Sequence, residues 1–145
     1  MPVTPLADTA ALDTLAHAAL ARMTGSLSPT ALLLAWQDWA AHLAGSPGKQ
    51  LELARLAQQQ ALELAGFFRQ RLLAGPERDQ VEPPVQDRRF AAPGWRDWPF
   101  SLWHQSFLVT QDWWDAATRG VAGVEPHHQK LVAFWARQGL DLLSP

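Results

Sequence analysis

The chain contains no cysteine and no tyrosine in 145 residues. Without cysteine, these residues cannot supply a disulfide, a thiolate metal site or a cysteine nucleophile. Charge is also scarce: 18% of residues are charged, against roughly 25% in a typical globular domain. The deficit points to surface covered by something else, such as a partner domain. The net charge is −2, and the basic residues are scattered, Arg88-Arg89 being their one adjacent pair. That pattern gives no electrostatic footprint for nucleic acid. Apolar runs are short of the roughly 18 residues that mark a bilayer-spanning helix. The start, Met1-Pro2-Val3-Thr4-Pro5, lacks the basic and apolar stretches of a signal peptide. A cytoplasmic location is the default expectation. Alternating strand patterns and β-branched residues are few as well.

What remains is a helical vocabulary of Ala, Leu, Gln and Arg, and it predicts an all-α fold of about five helices. The first runs roughly from Asp8 to Met23, capped by Asp8 or Thr9, with Leu12, Leu15, Ala19 and Met23 on one stripe and Gly25 just past its end. The second starts at Ser28-Pro29, a cap followed by proline at the first turn, and reaches about Ala44. Leu32, Ala35, Trp36, Trp39 and Leu43 form its apolar face. The third repeats the start signal at Ser46-Pro47 and continues to about Ala74, with Leu53, Ala57, Ala61, Leu64, Phe68 and Leu72 as its seam. Its length is on the order of 40 Å. Residues 75–97 carry Pro76, Pro83, Pro84 and Pro93 and break the periodicity. Pro83-Pro84 favours extended backbone. The fourth helix is expected from about Pro99 to Thr118, and the fifth from Glu125-Pro126 to near Leu143. The corresponding organisation is a tail over 1–7, a helical leader over 8–74, a Pro-rich linker over 75–86 and a Trp-rich unit over 87–145.

Candidate chemistry is thin. His127 and His128 are adjacent and point about 100° apart on a helix, which prevents them from chelating one metal together. His17, His42 and His104 are isolated and read as surface or satisfied side chains. Asp112 and Asp115 share a helix face and read as polar surface. Neither a Gly-x-Ser-x-Gly elbow nor a Gly-rich phosphate loop is present. The residues supply no catalytic group, no metal ligand set and no cofactor site that the sequence alone can assemble.

Tryptophan is the positive feature. Six of eight fall between Trp95 and Trp135. On the fourth helix Phe100, Trp103, Phe107 and Trp114 make one stripe, widened by Leu102, Val109 and Trp113. Indoles in this density serve either interior and interdomain packing or an exposed docking surface, and the sequence leaves both open. A docking or packing face of Phe100, Trp103, Phe107, Trp113 and Trp114 is the candidate site. Just upstream, Asp87-Arg88-Arg89-Phe90 with Trp95 is the candidate loop tether, since a carboxylate beside two arginines can tie irregular backbone to a neighbour by bidentate bonds. The alternative for that loop is an anion site, for instance for a coenzyme A phosphate.

These segments resemble a known family. Asp87-Arg88-Arg89-Phe90-x-x-Pro93-x-Trp95, then Trp98-Pro99-Phe100, Gln105-Ser106-Phe107-Leu108, Trp113-Trp114 and Val132-Ala133-Phe134-Trp135 are similar to the N-terminal domain of polyhydroxyalkanoate synthases, also called poly-β-hydroxybutyrate polymerases. Leu27-Ser28-Pro29 and Ser46-Pro47-Gly48-Lys49-Gln50 resemble a helical leader of some members. The resemblance implies a polyester-forming acyltransferase acting on 3-hydroxyacyl-coenzyme A. Its cysteine, histidine and aspartate would lie on a following α/β-hydrolase domain, and none of those positions is present here. It further implies partners: a catalytic domain or synthase subunit, a second copy, a polyester granule surface or a phasin-like protein. The expectation is therefore a non-catalytic N-terminal region, as a fragment or split polypeptide; the alternative is a stand-alone helical interaction protein.

Overall fold

A computed structural model describes residues 7–23 and 28–145. The fold is all-α: α1 is Ala7–Met23, α2 Pro29–Ala44, α3 Pro47–Ala74, α4 Phe100–Ala117 and α5 Pro126–Leu142. Short 3₁₀ turns at Gly75–Gln80, Arg88–Phe90 and Pro93–Arg96 fill the connection between α3 and α4. No strand occurs among the described residues. The expected stop at Gly25, and most of the expected N-terminal tail, lie outside the described residues.

Proline sets three of the helix starts. Pro29, Pro47 and Pro126 each sit in the first turn, where a missing N–H costs no hydrogen bond. The serines before them do not act as the sequence suggests. Neither Ser28 nor Ser46 caps with its side chain; the Ser46 hydroxyl instead donates back to the carbonyl of His42 at 2.7 Å. Of these three starts, the one with a side-chain cap is that of α5, where Glu125 accepts from the His128 amide at 2.9 Å. That bond holds the Glu125 carboxyl below its ordinary pKa. Asp8 and Thr9 are already inside the first turn of α1, which begins at Ala7.

Two apolar clusters organise the packing. In one, Ala35 of α2 meets Leu131 and Val132 of α5, with Trp36 and Trp39 against them. The apolar face expected for α2 is the face that packs. In the other, Phe90 from the connection meets Phe107 and Leu108 of α4, flanked by Val85, Trp95 and Leu140. Helix α3 packs on α4 along a line that shares Leu53 with the expected seam, and Leu64 and Phe68 half-buried beside it, but otherwise departs from it. Leu53, Gln60 and Phe67 are its buried residues, whereas Ala57 and Ala61 are exposed and Leu72 is 83% exposed. The difference has a polar cause. Gln60 donates to Asp112 Oδ2 at 2.7 Å, so an amide takes an inward position that hydrophobicity assigns to alanine. Helix α1 stands apart: every described side chain from Thr9 to Arg22 is exposed, including Leu12, Leu15 and Ala19 of its stripe.

Polar groups hold the other junctions. Asp38 on α2 accepts from His128 Nδ1 at 2.7 Å and the Glu125 amide at 3.0 Å, and pairs with His42 Nδ1 at 2.9 Å. The hydrogen bond from His128 is the main reason its carboxyl sits below the ordinary pKa, with the Glu125 amide second. Gly123, in the turn before α5, has φ of 91°, and a Cβ there would lie 2.4 Å from the His42 ring. The α4–α5 turn therefore needs glycine on two counts, conformation and space.

Candidate functional site

The aromatic stripe expected on α4 divides in three. Phe107 is 7% exposed and lies in the second apolar cluster. Trp113 and Trp114 are half-buried among the other helices. Trp114 meets Trp36 and Trp39 at ring separations of 6.3 and 6.1 Å, and Trp113 packs edge-on to Trp114 at 5.5 Å. Two indoles also act as polar stitches. Trp113 Nε1 donates to the Leu53 carbonyl of α3 at 3.1 Å, and Trp39 Nε1 donates to the Ala117 carbonyl at 2.9 Å. The second bond satisfies a carbonyl in the last turn of α4, where the helix itself offers no donor.

Phe100 and Trp103 lie elsewhere. Trp103 is 56% exposed and Phe100 47%, and they share the first turn of α4 and its approach with Leu102 and Trp98, the latter 78% exposed. The Trp98–Pro99 peptide preceding them is cis. Trp98, Phe100, Leu102 and Trp103 are thus exposed at one end of the helix, while Ser101 between them turns inward and is buried. Single exposed leucines are ordinary, whereas four large apolar side chains exposed within six residues are less common.

The inward line of α4 is polar. Ser101, His104, Gln105 and Gln111 are all buried, interleaved with Leu108. Gln105 is 1% exposed, and its amide is read from three sides. The Val85 amide donates to Gln105 Oε1 at 3.2 Å, Gln105 Nε2 donates to the Val85 carbonyl at 2.8 Å, and the same nitrogen lies 2.9 Å from His104 Nε2. The backbone of Val85 fixes which end of the amide is oxygen. The second N–H of that amide then requires an acceptor at His104 Nε2, so the imidazole carries its proton on Nδ1. Nδ1 lies 3.0 Å from the Phe100 carbonyl, which accepts it. His104 stacks on Phe90 at 5.2 Å, and its pKa is pushed down chiefly by burial. Nothing in the periodicity of the chain singles out this pair.

The tether residues of the loop take separate roles. Asp87 accepts from the Arg89 amide at 2.8 Å, and from Arg89 Nε on Oδ1 at 3.2 Å and Nη2 on Oδ2 at 2.8 Å, a bidentate pair. Arg89 Nη2 also donates to Gln111 Oε1 at 2.9 Å, crossing from the loop to α4. Its guanidinium lies 5.6 Å from the Phe90 ring centroid and 5.9 Å from that of Phe107. The side-chain bond from Arg89 is the largest cause of the lowered Asp87 pKa. Phe90 is buried, and Trp95 packs edge-on against it at 4.9 Å. Arg88 takes no part in this pairing.

Between the end of α3, residues 80–91 and α4 lies a cleft of about 690 Å³, walled by Phe67, Val85, Phe90 and His104 with arginines at its margin. Among the described residues, no cluster of three His, Asp or Glu side chains is placed to hold a metal ion. No described helix is long and apolar enough to cross a membrane.

Fold and site together define an all-α region stitched by indole and amide hydrogen bonds, with an exposed aromatic edge. Two family models match it. Residues 7–49 match one described as poly-beta-hydroxybutyrate polymerase N terminal, and residues 86–145 match one described as poly-beta-hydroxybutyrate polymerase (PhaC) N-terminus. The chain belongs to the family of poly-β-hydroxybutyrate polymerase N-terminal regions. Among curated proteins it is similar to the poly(3-hydroxyalkanoate) polymerase subunit PhaC of Rhizobium meliloti (strain 1021), 34% identical over 98 residues, or 63% of this chain and 16% of that protein. It is also similar to the poly(3-hydroxyalkanoate) polymerase of Methylorubrum extorquens, 35% identical over 66 residues, 45% of this chain and 11% of that protein. The matched segment thus spans less than a fifth of either relative. No solved structure matches.

Proposed function

We propose that this chain serves a polyhydroxyalkanoate synthase as its non-catalytic N-terminal region. Its task is to dock and stabilise a catalytic α/β-hydrolase domain carried outside these 145 residues, or to bring two such domains together. The polymerisation of 3-hydroxyacyl-coenzyme A into polyester belongs to that domain. The observation that carries the reading is the edge of Trp98, Phe100, Leu102 and Trp103, large apolar side chains left in solvent beside a tightly stitched core. Aromatic residues clustered this way anchor protein interfaces, where they fill pockets on the partner. Trp113, Trp114 and Phe107 pack inside the helical region instead and take no part in this edge.

A tagged chain recovered from its native cytoplasm tests this. Polymerase activity on 3-hydroxybutyryl-coenzyme A should co-purify with it, on the same polypeptide or a tightly bound one, and intact mass distinguishes the two. Recovery of the chain with no such activity contradicts the reading.

A second reading, an independent interaction protein at a synthase or a polyester granule, is favoured by one observation. Helix α1 presents Leu12 and Leu15 with no described side chain buried. Adsorption of the purified chain to protein-free polyester particles, lost when both leucines become serine, supports that reading. Equal adsorption of the variant removes its basis.

A further inference from the structure

The loop motif that supplies the tether leaves one arginine over. Asp87 is engaged by Arg89 on both oxygens. Arg88, its chain neighbour, has no hydrogen bond or ion pair from its side chain among the described residues, and neither does Arg96. Both line the cleft of about 690 Å³. Arg71 lines it too, lying 5.5 Å from the Phe67 ring centroid. The carboxylates on the wall are Asp87 and Glu82. The first is held by Arg89, and the second accepts a bond from Gln86. The Gln86 amide leaves the Glu82 charge in place, so among the described lining residues Arg88 and Arg96 face one uncompensated carboxylate and the balance stays cationic.

Its floor has the opposite character. Phe67 and Phe90 are buried, Val85 is half-buried, and all face the same space. The polar groups on that floor are already committed: His104 and Gln105 bond to each other, and Gln105 also holds Val85. A ligand would thus meet aliphatic and aromatic surface below and guanidinium groups above. The volume lies inside the range of roughly 300–1,000 Å³ typical of small-molecule sites.

We propose that this cleft is a binding site for a small amphipathic anion, a carboxylate or phosphate on a short aliphatic body, with Arg88 and Arg96 taking the anionic group and Phe67, Val85 and Phe90 the apolar body. Guanidinium suits both anions because its planar donors match two oxygens at once. The site is separate from the exposed Trp98–Trp103 edge, and it does not depend on that edge docking a partner.

Calorimetric titration of the full chain with 3-hydroxyoctanoate, coenzyme A and inorganic phosphate, each at fixed ionic strength, tests it. At least one of the first two should bind more tightly than inorganic phosphate, and which one identifies the carboxylate or the phosphate source. The double variant Arg88→Ala/Arg96→Ala should weaken that binding by roughly tenfold or more, as expected for lost charge-assisted bonds. A control, Arg55→Ala/Arg69→Ala on exposed positions of α3, should bind as the unaltered chain does. Because Arg88 and Arg96 support no other described side chain, the double variant should melt like the parent, so that a loss of binding is not a loss of fold. Absence of binding at millimolar concentration, equal binding of inorganic phosphate, or full retention of affinity in the Arg88/Arg96 variant each overturns the proposal.

Discussion

Replacing Gln105 by methionine removes the amide while keeping nearly the same length and volume. The amide makes three hydrogen bonds, two to the Val85 backbone and one to His104. Each contributes about 1 kcal/mol net. The loss exceeds the bare contribution where partners are left without an acceptor or donor, and Val85 N–H, Val85 C=O and His104 Nε2 are all left so. Against this, a thioether is easier to bury than an amide, which returns on the order of 1 kcal/mol. The balance is a destabilisation of roughly 2–3 kcal/mol, or a fall in melting temperature of about 4–12 °C for a chain of this size. Thermal and urea melts followed by circular dichroism measure it directly. Gln105→Glu is the informative companion. Its carboxylate still accepts from the Val85 amide but faces the Val85 carbonyl and His104 Nε2 with no proton to offer. It should therefore raise the pKa of His104, visible as a shift in the imidazole proton titration by NMR. A Gln105→Met variant that melts within about 1 °C of the parent refutes the reasoning, because the buried amide would then hold nothing in place.

Other outcomes follow from the same structure. Phe107→Ala should cost about 3–5 kcal/mol as a buried ring, whereas Trp103→Ala should change stability by less than about 0.5 kcal/mol, although both lie on one predicted stripe; paired urea melts compare them. The His104 pKa is lower in the folded chain than the unfolded value of about 6.5. The unfolded state therefore binds more protons between those two values, and stability should be complete above about pH 6.5 and decline as pH falls toward the folded pKa. His104→Asn should flatten that part of the profile. Gly123→Ala should destabilise by roughly 1–3 kcal/mol through the positive φ and the His42 ring, and His42→Ala in the same chain should recover part of the loss in thermal melts.

Much of the fold can be read in the residues because its helix boundaries are chemically punctuated. Pro29, Pro47 and Pro126 stand where the helices begin, and the prolines of 75–97 stand where periodicity fails. The faces are harder to read. On α3 and α4 the inward line carries Gln60, Ser101, His104, Gln105 and Gln111, so a hydrophobic pattern points beside the true interface. Gln60, Gln105 and Gln111 are interior because their partners, Asp112, Val85 and Arg89, come from elsewhere in the chain. No local spacing encodes such a pairing. The stripe of Phe100, Trp103, Phe107 and Trp114 shows a second limit. Angular position is shared, yet Phe107 is buried and Trp103 exposed, because the neighbouring elements cover the middle of α4 and leave its first turn bare. Within Asp87-Arg88-Arg89-Phe90, composition suggested both a tether and an anion site. Arg89 bonds Asp87 and Gln111, whereas Arg88 lines the cleft, a difference that the spacing of the motif does not carry.

On the proposed function, the exposed side chains of Trp98, Phe100, Leu102 and Trp103 bind a catalytic domain. The most direct test is the dissociation constant, by calorimetry, between this chain and a synthase polypeptide from the Rhizobium meliloti relative lacking the segment this chain matches. Measurable binding is expected, weakened by Trp98→Ala/Trp103→Ala by roughly a hundredfold through the loss of two aromatic anchors, with an unchanged melting temperature. Binding that the double variant leaves intact would contradict it, as would no binding by the unaltered chain.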